Sequence, residues 1–301
     1  MSRETFRRTL RGKGPVSLKT SSTIKRESEI LHIAKTPVIT MAPTTPVYDA
    51  VKIMAKEGFR RIPIANPGTK TLEGIVTATD IIDYLGGGKK FEIIQQKFSG
   101  NIFKAINEPI KLVMTQNVFA VKTTARISEA IQIMKEKNVG GLPVIDEEKR
   151  VKAIITERDI ANLFADKLSG VKVSQIMTEK VATALPKTTI FEAEKMIAQG
   201  FRRLPIVADG KVLGIITSMD IIRFFGSGEV FKHLKSGTLT QVLNTLAIEI
   251  AAKNVVTVTP DADVGQAAKV MREKNLGALP VVLDEKLVGI LTERDFFKII
   301  E

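Results

Sequence analysis

Apolar positions along the chain switch between two periods, and the switching repeats. Val47, Ala50, Val51 and Met54 recur at three- and four-residue spacing, as do Ile127, Ala130, Ile131 and Met134, which predicts helices with one buried face. Gly58 follows the first of these as a natural C-terminal stop. Short apolar runs come next: Gly58-Phe59-Arg60-Arg61-Ile62-Pro63-Ile64 returns as Gly200-Phe201-Arg202-Arg203-Leu204-Pro205-Ile206. A second type, Asn138-Val139-Gly140-Gly141-Leu142-Pro143-Val144, returns as Asn275-Leu276-Gly277-Ala278-Leu279-Pro280-Val281. Each is followed by another apolar strand ending in Thr-x-x-Asp, at Thr77 to Asp80, Thr156 to Asp159, Thr217 to Asp220 and Thr292 to Asp295. Thr/Val-rich stretches precede the helices, at Val38 to Met41, Val118 to Val121, Val181 to Ala184 and Val255 to Val258, and their β-branched content suits short strands. The chain therefore reads as four homologous β-α-β-β-α units in the order A, B, A, B, an α+β fold.

A unit of about 50 residues buries too little apolar surface to be comfortable alone, so pairing is expected. In chain order this gives a basic flexible tail at 1–30, a first pair at 31–168 with units near 35–88 and 112–168, and a second pair at 171–301 with units near 174–228 and 252–301. The stretches 89–114 and 229–253 join the units of each pair, and Phe91, Ile94 and Phe98 are helically spaced in the first. Gly86-Gly87-Gly88 reads as a helix stop and hinge, and Gly74, Gly214 and Gly289 as positions of close backbone packing. No phosphate-loop or dinucleotide fingerprint is present.

Composition removes several chemistries. With no cysteine and only His32 and His233 among 301 residues, thiolate nucleophiles, disulfides and Cys/His zinc sites are excluded, and a histidine-centred triad nearly so. Absence of cysteine fits a reducing interior, and no apolar run reaches the length of a membrane span, so a cytoplasmic protein is expected. The net charge of +12 asks for a polyanion. Much of it sits in residues 1 to 26, where Arg3, Arg7, Arg8, Arg11, Lys13, Lys19, Lys25 and Arg26 stand against Glu4 alone. That tail admits three readings: a solvated arm, an arm docked on protein, or a contact with nucleic acid or anionic membrane. Phe6 is its one aromatic residue, so a stacking platform for single strands is not supported.

The Pro-Val/Ile strands, the Gly-Ile-Val/Ile-Thr-x-x-Asp junctions and the lead-ins Val113-Met114-Thr115 and Ile176-Met177-Thr178 resemble cystathionine-β-synthase (CBS) domains, which pair into Bateman modules. Four such units are similar to the gamma subunit of AMP-activated protein kinase and its archaeal relatives. The resemblance implies a flat disk of two modules with clefts for AMP, ADP or ATP. S-adenosylmethionine and methylthioadenosine share the adenosyl group but lack the phosphates that the arginines favour. It implies no catalytic cofactor and no metal. By the same resemblance Asp80, Asp159, Asp220 and Asp295 hydrogen-bond ribose hydroxyls, with Thr77, Thr79, Thr156, Thr217 and Thr292 beside them. Arg60 and Arg202 match one phosphate-facing position, with Arg61 and Arg203 beside them, and Arg158 and Arg294 match another. Val118-Phe119 and Val255-Val256 would flank adenine in the clefts built on Asp80 and Asp220. The opposite clefts would draw on Val38-Ile39 with Thr45 and Ala50, and on Val181-Ala182 with Thr188 and Ala193. In those, Gly141 or Ala278 stands where the kinase subunit can place an arginine, which ranks the Asp80 and Asp220 clefts first.

The scheme is physically sound. A carboxylate accepts both hydroxyls of a cis-diol, the helix N-terminus beside it favours phosphate, and the guanidinium fork matches phosphate oxygens. The same Thr-x-x-Asp is also a plain capping box. The expected function is a non-enzymatic adenine-nucleotide sensor that passes its occupancy to a separate regulated protein, with a homodimer of disks expected by analogy. The alternative is a nucleic-acid-associated protein that works through its tail, with the repeats as scaffold or ligand gate.

Overall fold

The computed structural model describes residues 29–228, 230 and 242–300. The basic tail up to residue 28, His233 and most of the second joining stretch lie outside them. Among the described residues no helix is long and apolar enough to cross a membrane.

Each repeat is built on an antiparallel hairpin: β1 (Arg61–Ala65) with β2 (Leu72–Thr77), β4 (Gly141–Ile145) with β5 (Val151–Thr156), β6 (Arg203–Ala208) with β7 (Lys211–Thr217), and β8 (Ala278–Leu283) with β9 (Lys286–Thr292). The amphipathic helices form where the spacing predicts them, at Val47–Glu57 and Ile127–Glu136, and at the equivalent places of the other two repeats, Ile190–Ala198 and Val264–Glu273. Val47, Ala50, Val51 and Met54 are all buried, and Gly58 closes the first helix in the left-handed conformation at φ 70°. The expected opening strands are the main departure. Only the second repeat has one, β3 (Val121–Lys122), parallel to β4. In the others the stretch is reduced to single parallel bridges, Met41 to Ile64, Ala184 to Ile206 and Val258 to Val281. A turn follows at once; Thr45 N–H already bonds back to Ala42 O at 3.0 Å, so the ladder has no room to extend.

The third strand of each repeat meets the lead-in of another segment at one bridge, as between Ile75 and Thr115 or Ile290 and Thr178. This is what the glycines permit. A Cβ on Gly74 would lie 2.6 Å from Met114 Sδ and 3.1 Å from Thr115 O, and one on Gly289 would lie 2.6 Å from Met177 Sδ. They are packing positions, as the sequence suggests.

Packing sorts the repeats differently from chain order. One compact unit holds residues 39–118 and 182–255, hence repeats one and three; the other holds residues up to 38 with 119–181 and 256–301, hence repeats two and four. Each pair expected along the chain thus gives one repeat to each unit. The cause is helix packing across repeats of the same type. In the odd-repeat unit Gly226 lies against Val51 and Ala55, and reciprocally Gly86 and Gly87 lie against Glu194. A Cβ on Gly87 would be 2.7 Å from Glu194 O, so the glycine run serves close approach inside a π-helical stretch, Asp83–Gly87, where a plain helix stop was expected. The core of this unit is continuous, with Met54, Ile62, Ile81, Ile197, Leu204, Ile206 and Ile222 fully buried. In the even-repeat unit the aromatic residues are exchanged: Phe297 packs in the cluster of repeat two, and Phe164 in that of repeat four, 5.4 Å from Phe296.

Candidate functional site

The four aspartates occupy equivalent places. Each threonine ends its strand with extended backbone and caps the helix that follows, and the aspartate is the third helical residue. Asp80 Oδ2 accepts from Thr77 N–H at 2.9 Å and from its hydroxyl at 2.6 Å. The corresponding pairs are 2.8 and 2.6 Å for Asp159, 2.8 and 2.7 Å for Asp220, and 2.7 and 2.7 Å for Asp295. The capping box is therefore real in all four repeats, and it engages one carboxylate oxygen only.

At three of the aspartates the second oxygen meets a cation. Lys90 Nζ donates to Asp80 Oδ1 at 2.6 Å, Arg223 Nη1 to Asp220 Oδ1 at 3.1 Å, and Lys298 Nζ to Asp295 Oδ1 at 2.8 Å. Thr178 Oγ1 also reaches Asp295 Oδ1, at 3.3 Å. Burial raises the pKa of Asp220, opposed by the Thr217 hydrogen bonds and the Arg223 guanidinium.

Of the expected arginines, Arg61 and Arg203 open β1 and β6 directly opposite Thr77 and Thr217. Their neighbours Arg60 and Arg202 use their carbonyls to accept the first helical N–H, from Ala78 at 2.8 Å and Ser218 at 3.4 Å. Both pairs thus stand at the start of an aspartate-bearing helix. Arg158 and Arg294 are differently engaged. Arg158 Nε donates to Glu293 Oε1 at 2.7 Å, and Arg294 Nη1 to Glu157 Oε1 at 3.3 Å, with Arg294 Nη2 on Met134 O at 2.9 Å. Both glutamates are buried, so the guanidinium groups expected on phosphate here serve as counter-ions.

The adenine-flanking candidates divide. Val118 and Val255 sit on matching turns, their N–H groups bonded to Gln116 O at 3.0 Å and Lys253 O at 3.1 Å. Val256 is half-buried against the cluster of repeat four, and Phe119 is exposed with Lys137 Nζ 5.5 Å from its ring centre. Thr45 and Thr188 accept backbone N–H groups from Ile110 and Ala247. Ala50 and Ala193 are fully buried in the odd-repeat core, which makes them packing residues in this structure.

Thr79 and Asp80 line a cleft of about 700 Å³ within the odd-repeat unit, walled by Gly86, Gly87, Gly88 and Lys89 on one side and Phe191 and Lys195 on the other. The sequence reading missed these last residues, along with Lys90, Lys298, Glu157 and Glu293. Some signal existed. Lys298 and Arg223 stand three residues after their aspartates, on the same helix face, and Glu-Arg-Asp occurs in repeats two and four alone of the four junctions. Lys90 belongs to no periodic pattern.

Comparison with known proteins places the repeats. The model of the CBS domain matches residues 28–87, 110–166, 173–227 and 247–301. An uncharacterized protein of Methanocaldococcus jannaschii is 38% identical over 265 residues, 87% of this chain and 94% of its own. An uncharacterized 33.4 kDa protein in a ribosomal RNA operon of Thermofilum pendens is 32% identical over 88% of this chain and 89% of its own. Among solved structures, a Methanocaldococcus jannaschii protein put forward as an archaeal homolog of g-AMPK superposes with TM-score 0.86 at 35% identity, covering 90% of this chain and 99% of that one. An uncharacterized conserved protein from Pyrococcus horikoshii shares the fold at TM-score 0.57 and 20% identity, over 89% and 97%.

Proposed function

This chain belongs to the CBS domain family, and from that premise we propose that it is a non-enzymatic sensor that binds AMP, ADP or ATP and passes its occupancy to a separate regulated protein. The observation that carries the reading is the division of labour within Asp80 and Asp220. Oδ2 is taken by the helix cap and stays fixed, while Oδ1 faces polar partners that a ribose diol can replace or join. The cap holds the carboxylate rigidly, so a ligand meets a preorganised acceptor at a helix N-terminus. Arg60, Arg61, Arg202 and Arg203 lead into the starts of the Asp80 and Asp220 helices through their backbone, and their guanidinium type favours phosphorylated adenosines over S-adenosylmethionine or methylthioadenosine.

Such a protein acts as a switch through differential affinity for two arrangements of its repeats. Titration calorimetry of nucleotide-free protein with AMP, ATP and S-adenosylmethionine, alongside Asp80→Ala and Asp220→Ala, tests the reading. Saturable binding of the phosphorylated ligands that is lost in the variants is expected. Absence of binding by all three would leave Thr-x-x-Asp as a helix cap and nothing more.

A further inference from the structure

Lys90 and Lys298 form the same polar arrangement from non-equivalent positions. Lys90 Nζ donates to Asp80 Oδ1 at 2.6 Å and to Val113 O at 2.7 Å. Lys298 Nζ donates to Asp295 Oδ1 at 2.8 Å and to Ile176 O at 2.5 Å. Val113 and Ile176 hold the same place in the lead-ins Val-Met-Thr and Ile-Met-Thr. The lysines do not correspond: Lys298 lies three residues after its aspartate on the helix itself, whereas Asp83 occupies that place after Asp80 and the ammonium arrives instead from the loop at residue 90. One constellation reached by two routes is not an accident of copying a repeat. At Asp80 and Asp295 the oxygen left by the cap is supplied with an ammonium that is also anchored to the lead-in.

We propose that Lys90 and Lys298 are resident occupants of the ribose-facing carboxylate oxygens, displaced when a nucleoside enters, and that they set the affinity of those two sites. The inference rests on the ribose reading of Asp80 and Asp295. Because Oδ2 is committed to the threonine, a diol must compete at Oδ1 with a charge-assisted hydrogen bond, among the stronger interactions such an oxygen makes. The lysines can leave. Their side chains are 28% and 50% exposed, against 15% and 6% for the aspartates, so the ammonium has water to return to and the carboxylate has not. Departure also releases the carbonyl of Val113 or Ile176. Each lies shortly before the chain passes from one compact unit to the other, after residue 118 or 181. Occupancy of the ribose site thereby removes one anchor of the lead-in, which keeps its backbone bridge at Thr115 or Thr178.

The probe is adenosine, which carries the diol without phosphate and so reads the competition alone. Lys90→Met and Lys298→Met keep chain length and remove the charge. Calorimetry should find adenosine bound about tenfold more tightly by these variants than by the parent protein, the share of one charge-assisted hydrogen bond. Lys298→Arg, which keeps a cation at the same place, should stay near the parent value. A lysine that only braces the fold predicts a lower Tm with adenosine affinity unchanged or weaker, and that result overturns the proposal. Asp80→Asn and Asp295→Asn titrated with AMP separate the two levels. If they lose AMP while the methionine variants gain nothing for adenosine, the lysine proposal alone fails. If they keep full AMP affinity, the ribose reading fails and takes the lysine proposal with it.

Discussion

Arg158 and Glu293 stand 135 residues apart in sequence and 2.7 Å apart in space, and the pair is mirrored by Arg294 and Glu157 at 3.3 Å. Each Glu-Arg step thus sends its arginine to the glutamate of the other, so the two even repeats clasp one another at the starts of their last helices. Both glutamates are almost fully buried, while the arginines keep about a third of their surface in water. In the odd repeats Ala78 and Ser218 replace the glutamates and Thr79 and Met219 replace the arginines, so no ion pair forms at those positions.

Arg158→Leu leaves Glu293 buried without its counter-ion. The expected loss is on the order of 3 kcal/mol, the low end for a buried pair because the arginine is partly exposed. That corresponds to a fall of roughly 6 to 12 °C in Tm. Exchanging the pair, Arg158→Glu with Glu293→Arg, should recover part of the loss; thermal unfolding of the three proteins decides it.

Glu194 occupies the helix position held by Val51, Ile131 and Ala268 in the other repeats, and neither of its carboxylate oxygens has a hydrogen-bond partner among the described residues. Burial pushes its pKa well above the usual carboxylate value. The folded protein therefore holds a proton that the unfolded chain gives up at lower pH. Stability is fully present below the unfolded pKa and declines as pH rises toward the folded one. Urea midpoints of the parent protein should fall between pH 5 and pH 8, those of Glu194→Gln should change less, and Glu194→Val should be the more stable protein at pH 8 by about 1 to 3 kcal/mol.

Gly74→Val and Gly289→Val place side-chain atoms against Met114 with Thr115 O, and against Met177 with Thr178 O. The bridges Ile75–Thr115 and Ile290–Thr178 have to open to admit them. Each should cost about 1 to 3 kcal/mol, with faster amide exchange at Thr115 or Thr178. Unchanged exchange at those amides would mean that the lead-ins accommodate the side chain without giving up the bridge.

On the proposed reading, AMP binding at Asp220 would need the ionised carboxylate. Since burial raises that pKa above the usual Asp value, affinity should fall on acidification sooner than an ordinary aspartate would allow. Asp220→Asn should bind weakly at every pH and show no such slope; a pH series of AMP titrations compares the two.

The repeat, the hairpins, the amphipathic helices and the capped aspartates are all legible in the order of residues along the chain. All of these arise from neighbours within one unit: Val47 to Met54 share a helix face because of the 3.6-residue period, and Thr77 meets Asp80 because the cap spans three residues. The opening strands were over-read because β-branched residues signal extended backbone, whereas a strand also needs an edge to pair with for more than one residue. Tertiary structure alone decided which repeats pack together, that Ala50 and Ala193 are core, and that Arg158 and Arg294 answer to buried glutamates. It likewise decided that Lys90 sits on Asp80. Those outcomes depend on side chains more than a hundred residues apart or on loops without period, where burial and charge pairing choose among partners that the local pattern leaves equivalent.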